Sequence, residues 1–188
     1  MDSNIGAKER VTQKRLIGLF QDVLEYDYLG NWEYRESNSN VEETLLRRYL
    51  KRRKYADKEI DKAVAKFKQA AANIGAGLYN ANREVYTLLR YGVNVQSDVS
   101  EYKKTVHLID WTNPMENDFQ IAEEVTVQGK SDRRPDLVVY VNGIAVAVIE
   151  LKRSTVSVHE GHSSKYSQST GRIYPSIFHD RAAVVCWQ

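Results

Sequence analysis

The sequence predicts a mixed α/β protein, helical in its first part and strand-rich in its second. Apolar residues recur at helical three- and four-residue spacings as far as Gly92. Beyond it they fall into short continuous or alternating runs, punctuated by the turn-favouring pairs Asn113-Pro114 and Asn142-Gly143. The second pair joins Leu137–Val141 to Ile144–Ile149, two runs apolar enough for burial on both faces.

Taken in order, residues 10–30 read as an amphipathic helix with Val11, Leu16, Leu19, Phe20, Val23 and Leu24 inward. A polar loop spans 33–40. Asn40 then reads as an N-cap with Glu43 as its capping-box partner, opening a helix that buries Val41, Leu45, Leu46 and Tyr49. Asp57 opens a third helix, in which Ile60, Val64, Phe67 and Ala71 share one face. Gly75 and Gly77 break that pattern. A fourth helix begins near Asn80, turns Val85, Leu88 and Leu89 inward, and stops at Gly92. Strands follow at 105–109 and 119–127, then the two runs around Asn142-Gly143. Residues 157–173 are ambiguous, and 182–187 read as a closing buried strand. The chain thus divides into a helical region over 1–77 and an α/β core over 78–188.

A chain of 188 residues can bury one sizeable core, and 42% hydrophobic with 28% charged residues is an ordinary globular composition. No stretch approaches the length of a membrane span, and the first ten residues lack the apolar core of a signal peptide. The single cysteine, Cys186, excludes an internal disulfide and a zinc cluster built from several thiolates. A cytoplasmic protein with no membrane partner is the default expectation. The net charge of +2 does not announce a nucleic-acid binder, so charge distribution must carry that argument. The densest basic cluster, Arg47 to Lys54, reads as the solvated end of a helix. Arg133-Arg134 is the better candidate for phosphate contact.

The chemistry concentrates in Asp136, Glu150 and Lys152, charges bordering the two apolar runs. Such charges are costly in a buried strand unless paired or bound to metal. Glu150 and Lys152 are two apart and share a strand face. Two carboxylates can hold a hard divalent cation, and a neighbouring ammonium can orient or activate water, which suits metal-assisted phosphodiester hydrolysis. The same residues also read as a strand end emerging into solvent, and spacing alone leaves both readings open. Register sets a condition on the metal reading. A strict two-residue hairpin pairs Asp136 with Ile149 and turns it away from Glu150. A bulge at Gly143, or an equivalent one-residue slip, brings the carboxylates to one face.

The stretch from Arg133-Arg134-Pro135-Asp136 through Asn142-Gly143 to Glu150-Leu151-Lys152 resembles the N-terminal region of type I restriction enzyme R subunits, in the PD-(D/E)xK nuclease superfamily. So do Leu108-Ile109-Asp110-Trp111, Asn117-Asp118-Phe119 and Leu88-Leu89-Arg90-Tyr91-Gly92-Val93, and the resemblance covers residues 80–180. It implies a restriction-endonuclease-like α-β-β-β-α-β core. It also implies Asp136 and Glu150 as Mg2+ ligands and Lys152 as the catalytic lysine. Many relatives place an acid on the helix before the first core strand, which makes Glu84 the candidate third ligand. A Gln-x-x-x-Tyr element commonly follows the lysine. Gln168 matches its glutamine, but Arg172 stands where the tyrosine belongs and Tyr174 is the next tyrosine. His159-x-x-His162 lacks a third ligand and reads as surface, as does Glu123-Glu124.

No phosphate-binding Gly-x-x-x-x-Gly-Lys-Ser/Thr loop occurs, so ATP is expected only in motor domains of a longer chain, of which this looks like the N-terminal piece. The partners implied are double-stranded DNA and the modification and specificity subunits of a type I complex. A non-catalytic module that docks DNA or subunits on a nuclease-like fold is the alternative.

Overall fold

The computed structural model describes residues 5–73, 75, 77–96, 98, 102–126 and 134–151. Helix α1 (Ile5–Gly18) runs through a π-helical turn (Leu19–Val23) into strand β1 (Asp27–Asn31). Helices α2 (Glu43–Arg52), α3 (Asp57–Ala72) and α4 (Leu78–Tyr91) follow. Strands β2 (Val93–Val95) and β3 (Lys104–Val106) form a small antiparallel pair. Strands β4 (Phe119–Glu123), β5 (Leu137–Val141) and β6 (Ile144–Ile149) complete the main sheet, in the order β1-β4-β5-β6. β1 is parallel to β4, and the other pairings are antiparallel. The mixed α/β class is borne out.

The first segment departs from its sequence reading. The helix ends at Gly18, and Val11, Leu19, Val23 and Leu24 are exposed. The inward stripe is Gln13, Leu16, Ile17 and Phe20, spaced i, i+3, i+4 and i+7, because that is the face laid on the sheet. Asp27–Asn31 then pairs with β4, which would otherwise present an open edge. The division at 77/78 therefore runs across the main sheet: β1 comes from the first part and its partner from the second.

The helix over 43–52 is also capped differently from expectation. Glu42 precedes its first turn, accepting the Ser39 N–H at 3.2 Å and pairing with Arg35 at 2.6 Å. Asn40 instead gives its carbonyl to the Ala145 N–H of β6. Helices α3 and α4 lie where the periodicity puts them, burying Ile60, Val64 and Phe67, and Val85, Leu88 and Leu89. Together with Leu46, Tyr49, Val93 and Val106 they form a helical core that meets the main sheet at Ile144. The sheet itself has two apolar faces. One packs Ile121, Leu137, Val139, Ala147 and Ile149 against Ile17 of α1. The other packs Ala122, Val138, Tyr140 and Ala145 against Trp32 and Val125.

At the β5–β6 turn, Asn142 and Gly143 both have positive φ, 54° and 79°, the geometry that suits a two-residue hairpin. Asn142 is fully buried. Its Nδ2 donates to the Leu108 carbonyl at 2.9 Å and to Asn117 Oδ1 at 2.8 Å, while its Oδ1 accepts the Asp118 N–H at 2.7 Å. Asn117 Oδ1 also accepts the Asp110 N–H at 2.8 Å. The segments around Asp110 and Asn117 are thus the polar packing of this turn. No described helix is long and apolar enough to cross a membrane. The expected elements at 157–173 and 182–187 lie outside the described residues.

Candidate active site

The β5–β6 register decides where the two motif carboxylates go. Val141 pairs with Ile144 and Tyr140 with Ala145, as in a strict hairpin, but Val139 then pairs with Ala147. Val146 is left over as a bulge, and Val146 and Ala147 both pack on the α1 face of the sheet. The ladder continues as Val138 with Val148 and Leu137 with Ile149. Asp136 and Glu150 come next, level with each other at the open end of the hairpin. Neither lies within a strand, and continued alternation from Leu137 and Ile149 would turn both to the face opposite α1. The slip that the metal reading requires is present, located at Val146 rather than at Gly143.

The surroundings fix Asp136 at both its carboxylate and its main chain. Its Oδ2 accepts the Leu151 N–H, which ties the carboxylate to the peptide after Glu150. Its carbonyl accepts the Glu124 N–H at 2.9 Å and Gln13 Nε2 at 3.3 Å. Gln13, buried on α1, also donates to Glu123 Oε2 at 3.2 Å and Glu124 Oε1 at 3.0 Å. Tyr28 donates its hydroxyl to Glu123 Oε1 at 2.7 Å. Burial, then the bond and charge of Glu123, push the Tyr28 phenol far above its ordinary range, so it remains a donor. The solvent-facing reading of Glu123-Glu124 is therefore corrected: both carboxylates accept hydrogen bonds behind the candidate site.

Arg134, in the motif just before buried Pro135, pairs with Glu33 and with Glu124, the latter at 2.9 Å. Two carboxylates face its one positive charge, so it anchors the motif and offers little field to a phosphate. On α2, Arg47 pairs with Glu43 and Asp61, Lys51 with Asp57, Arg52 with Asp118, and Arg53 beyond its end with Asp110. Of the cluster read as a solvated helix end, four cations are thus ion-paired, while Arg48 and Lys54 are exposed.

Of the residues singled out by sequence, Asp136 and Glu150 flank the last ladder pair, Leu137 with Ile149, and so lie at the same end of the hairpin. Glu84 is exposed on α4, a helix whose buried side packs on α3 and the helical core. Among the described residues no three His, Cys, Asp or Glu side chains gather as a set that could hold an ion. Glu84 therefore does not complete a set with Asp136 and Glu150. Lys152, Gln168, Tyr174, Arg133, His159 and His162 lie outside the described residues. Gln13 was missed, although a signal existed: it is the polar member of the Gln13, Leu16, Ile17, Phe20 stripe.

As a donor set, Asp136 and Glu150 are hard oxygen ligands. Two carboxylates with waters and substrate phosphate filling the remaining positions is a common arrangement for Mg2+, so the residues present fit that ion.

The family model described as type I restriction enzyme R protein N terminus matches residues 6–178. A type I restriction enzyme endonuclease subunit of Methanocaldococcus jannaschii is 33% identical over 128 residues. The match covers 64% of this chain but 12% of that protein, so the chain corresponds to a small part of that relative.

Proposed function

Since this chain belongs to the type I restriction enzyme R protein N-terminal family, we propose that it is the metal-dependent DNA endonuclease domain of such an enzyme. The observation that supports the reading is the bulge at Val146, the one-residue slip that the metal reading requires, which leaves Leu137 opposite Ile149 with Asp136 and Glu150 next beyond them. In this reading Asp136 and Glu150 hold Mg2+, which when bound polarises the scissile phosphodiester and lowers the pKa of a coordinated water. Leu151 N–H keeps one carboxylate oxygen of Asp136 oriented. Lys152, two residues beyond Glu150, stabilises charge on the attacking or departing oxygen, and Gln168 assists at the same site. The proposed ligand set stops at Asp136 and Glu150.

Double-stranded DNA is the substrate, delivered by ATP-driven motor domains of a longer chain and by modification and specificity subunits. The charge distribution supports that dependence. Arg47, Lys51 and Arg52 of α2 and Arg134 are already met by carboxylates, so this region can neutralise few phosphates and binds duplex weakly by itself. The test is nicking of supercoiled plasmid with Mg2+, by the 188-residue chain and by the full-length protein assembled with its subunits. The assembled enzyme is expected to cleave and the isolated chain to cleave poorly. Lys152→Ala should abolish cleavage while ATP hydrolysis continues. An assembled Lys152→Ala enzyme that still cleaves would remove this lysine from the mechanism.

A further inference from the structure

Gln13 sits behind the candidate site with its amide nitrogen among three acceptors, two of them carboxylates, so the position calls for a hydrogen-bond donor. Its amide lies 3.2 Å from Glu123 Oε2, 3.0 Å from Glu124 Oε1 and 3.3 Å from the Asp136 carbonyl. Gln13 itself is 7% exposed. Ile17, one turn on, anchors the same helix face among Leu137, Val139 and Ile149 of the strands that carry the motif. We infer that Gln13 is a positioning residue of the proposed nuclease site, holding α1, the Glu123-Glu124 pair and the Asp136 peptide in one arrangement.

The chemistry follows from donors and acceptors. Without the amide, two neighbouring carboxylates lose a shared donor and repel each other, and the Asp136 carbonyl keeps only the Glu124 N–H. The peptide that orients the Asp136 carboxylate then loosens. Direct hydrogen-bond partners of a ligating side chain are worth about 10–100-fold in metal affinity, and Gln13, which bonds the Asp136 peptide rather than its carboxylate, is expected at the lower end.

This inference rests on the nuclease reading, and the experiment separates the two. Gln13→Glu keeps the shape of the side chain but sets a third carboxylate against Glu123 and Glu124. Gln13→Ala removes the donor, and Gln13→Lys keeps one. A positioning role orders Mn2+ affinity, measured by calorimetry on folded protein at pH 8, as wild type and Gln13→Lys, then Gln13→Ala, then Gln13→Glu. The Ala variant is expected about 10-fold weaker than wild type. A packing role gives the other order, with the isosteric Gln13→Glu nearest wild type and Gln13→Ala worst.

If Gln13→Glu does not fold, the remaining variants decide: Mn2+ affinity near wild type in Gln13→Lys and about 10-fold weaker in Gln13→Ala supports the inference, and Gln13→Ala binding as wild type does overturns it. Loss of Mn2+ binding in Asp136→Ala, with binding intact in Gln13→Glu, overturns this inference and leaves the nuclease reading standing. Binding intact in Asp136→Ala overturns both.

Discussion

Gly143→Ala should destabilise the chain by several kcal/mol, because the hairpin turn is wedged under α2. A Cβ at this position would stand 2.6 Å from Leu45 Cβ, 2.7 Å from the Glu42 carbonyl and 2.9 Å from the Leu46 nitrogen. Real Cβ contacts are not that short, and two of the three neighbours are backbone at the start of a packed helix. The φ of 79° adds a left-handed penalty of roughly 1–2 kcal/mol for a non-glycine residue. Overpacking of this kind costs about 1–3 kcal/mol more. The sum, roughly 2–5 kcal/mol, is a large fraction of a typical total of about 5–15 kcal/mol. Equilibrium urea unfolding followed by circular dichroism is the assay. With an m-value near about 2 kcal/mol/M, the midpoint should fall by about 1–2.5 M. A midpoint within a few tenths molar of wild type, at unchanged m, would mean that Gly143 does not pack against α2 and that the turn is placed differently. Because the candidate site lies at the other end of the hairpin, the folded fraction of this variant should still bind divalent metal.

Other outcomes follow from the same geometry. Asn142→Ala should cost about 1–3 kcal/mol for each buried group left unpaired. The Leu108 carbonyl and the Asp118 N–H both lose their bond to this side chain; urea unfolding reads the loss, and a variant as stable as wild type contradicts it. Arg134→Ala should change stability by at most about 1 kcal/mol, since its pairs with Glu33 and Glu124 are half exposed. A double-mutant cycle with Glu124→Gln measures the coupling, and several kcal/mol would refute this estimate. Lowering the pH should unfold the chain from the acid side. Lys68 and then Arg47 hold the Glu43 carboxyl below its ordinary range. The Asn113 N–H does so for Asp110 against the opposing effect of burial, with help from Thr112 and Arg53. Depressed folded pKa values make this stability fully present above the unfolded values of about 3.9 and 4.3 and lost as pH falls through the folded ones. Thermal melts from pH 7 to pH 2 should therefore be flat and then fall, and a melting temperature that does not drop below pH 4 would contradict the assignment.

Much of the fold could be read from the sequence where one period dominated. Helices α3 and α4 carry clean spacings such as Ile60, Val64 and Phe67, and each buries the predicted face. The β5–β6 hairpin was legible because Asn142-Gly143 can only be a turn between two apolar runs. The first thirty residues misled because Leu19, Val23 and Leu24 extend the apolar content past Gly18, while the stripe that meets the sheet contains a glutamine. Strand β1, Asp27–Asn31, has no apolar alternation to announce it, since among the described residues it is defined by its pairing with β4 alone. At the candidate site, residue types were legible and register was conditional. Asp136 and Glu150 can share a face only through a one-residue slip, and nothing in Ala145-Val146-Ala147 marks which residue will be extruded. The role of Gln13 depends on a contact across more than one hundred residues, 111 to Glu124 and 123 to Asp136, which no local pattern encodes.

The central claim is that Asp136 and Glu150 form one divalent-cation site, and calorimetric titration with Mg2+ or Mn2+ tests it most directly. Wild type should show one saturable site, lost in Asp136→Ala and in Glu150→Ala while both variants keep the circular-dichroism spectrum of the folded chain. Glu84→Ala, which alters an exposed residue of α4, should bind as wild type does. Undiminished binding in either Asp136→Ala or Glu150→Ala would contradict the account.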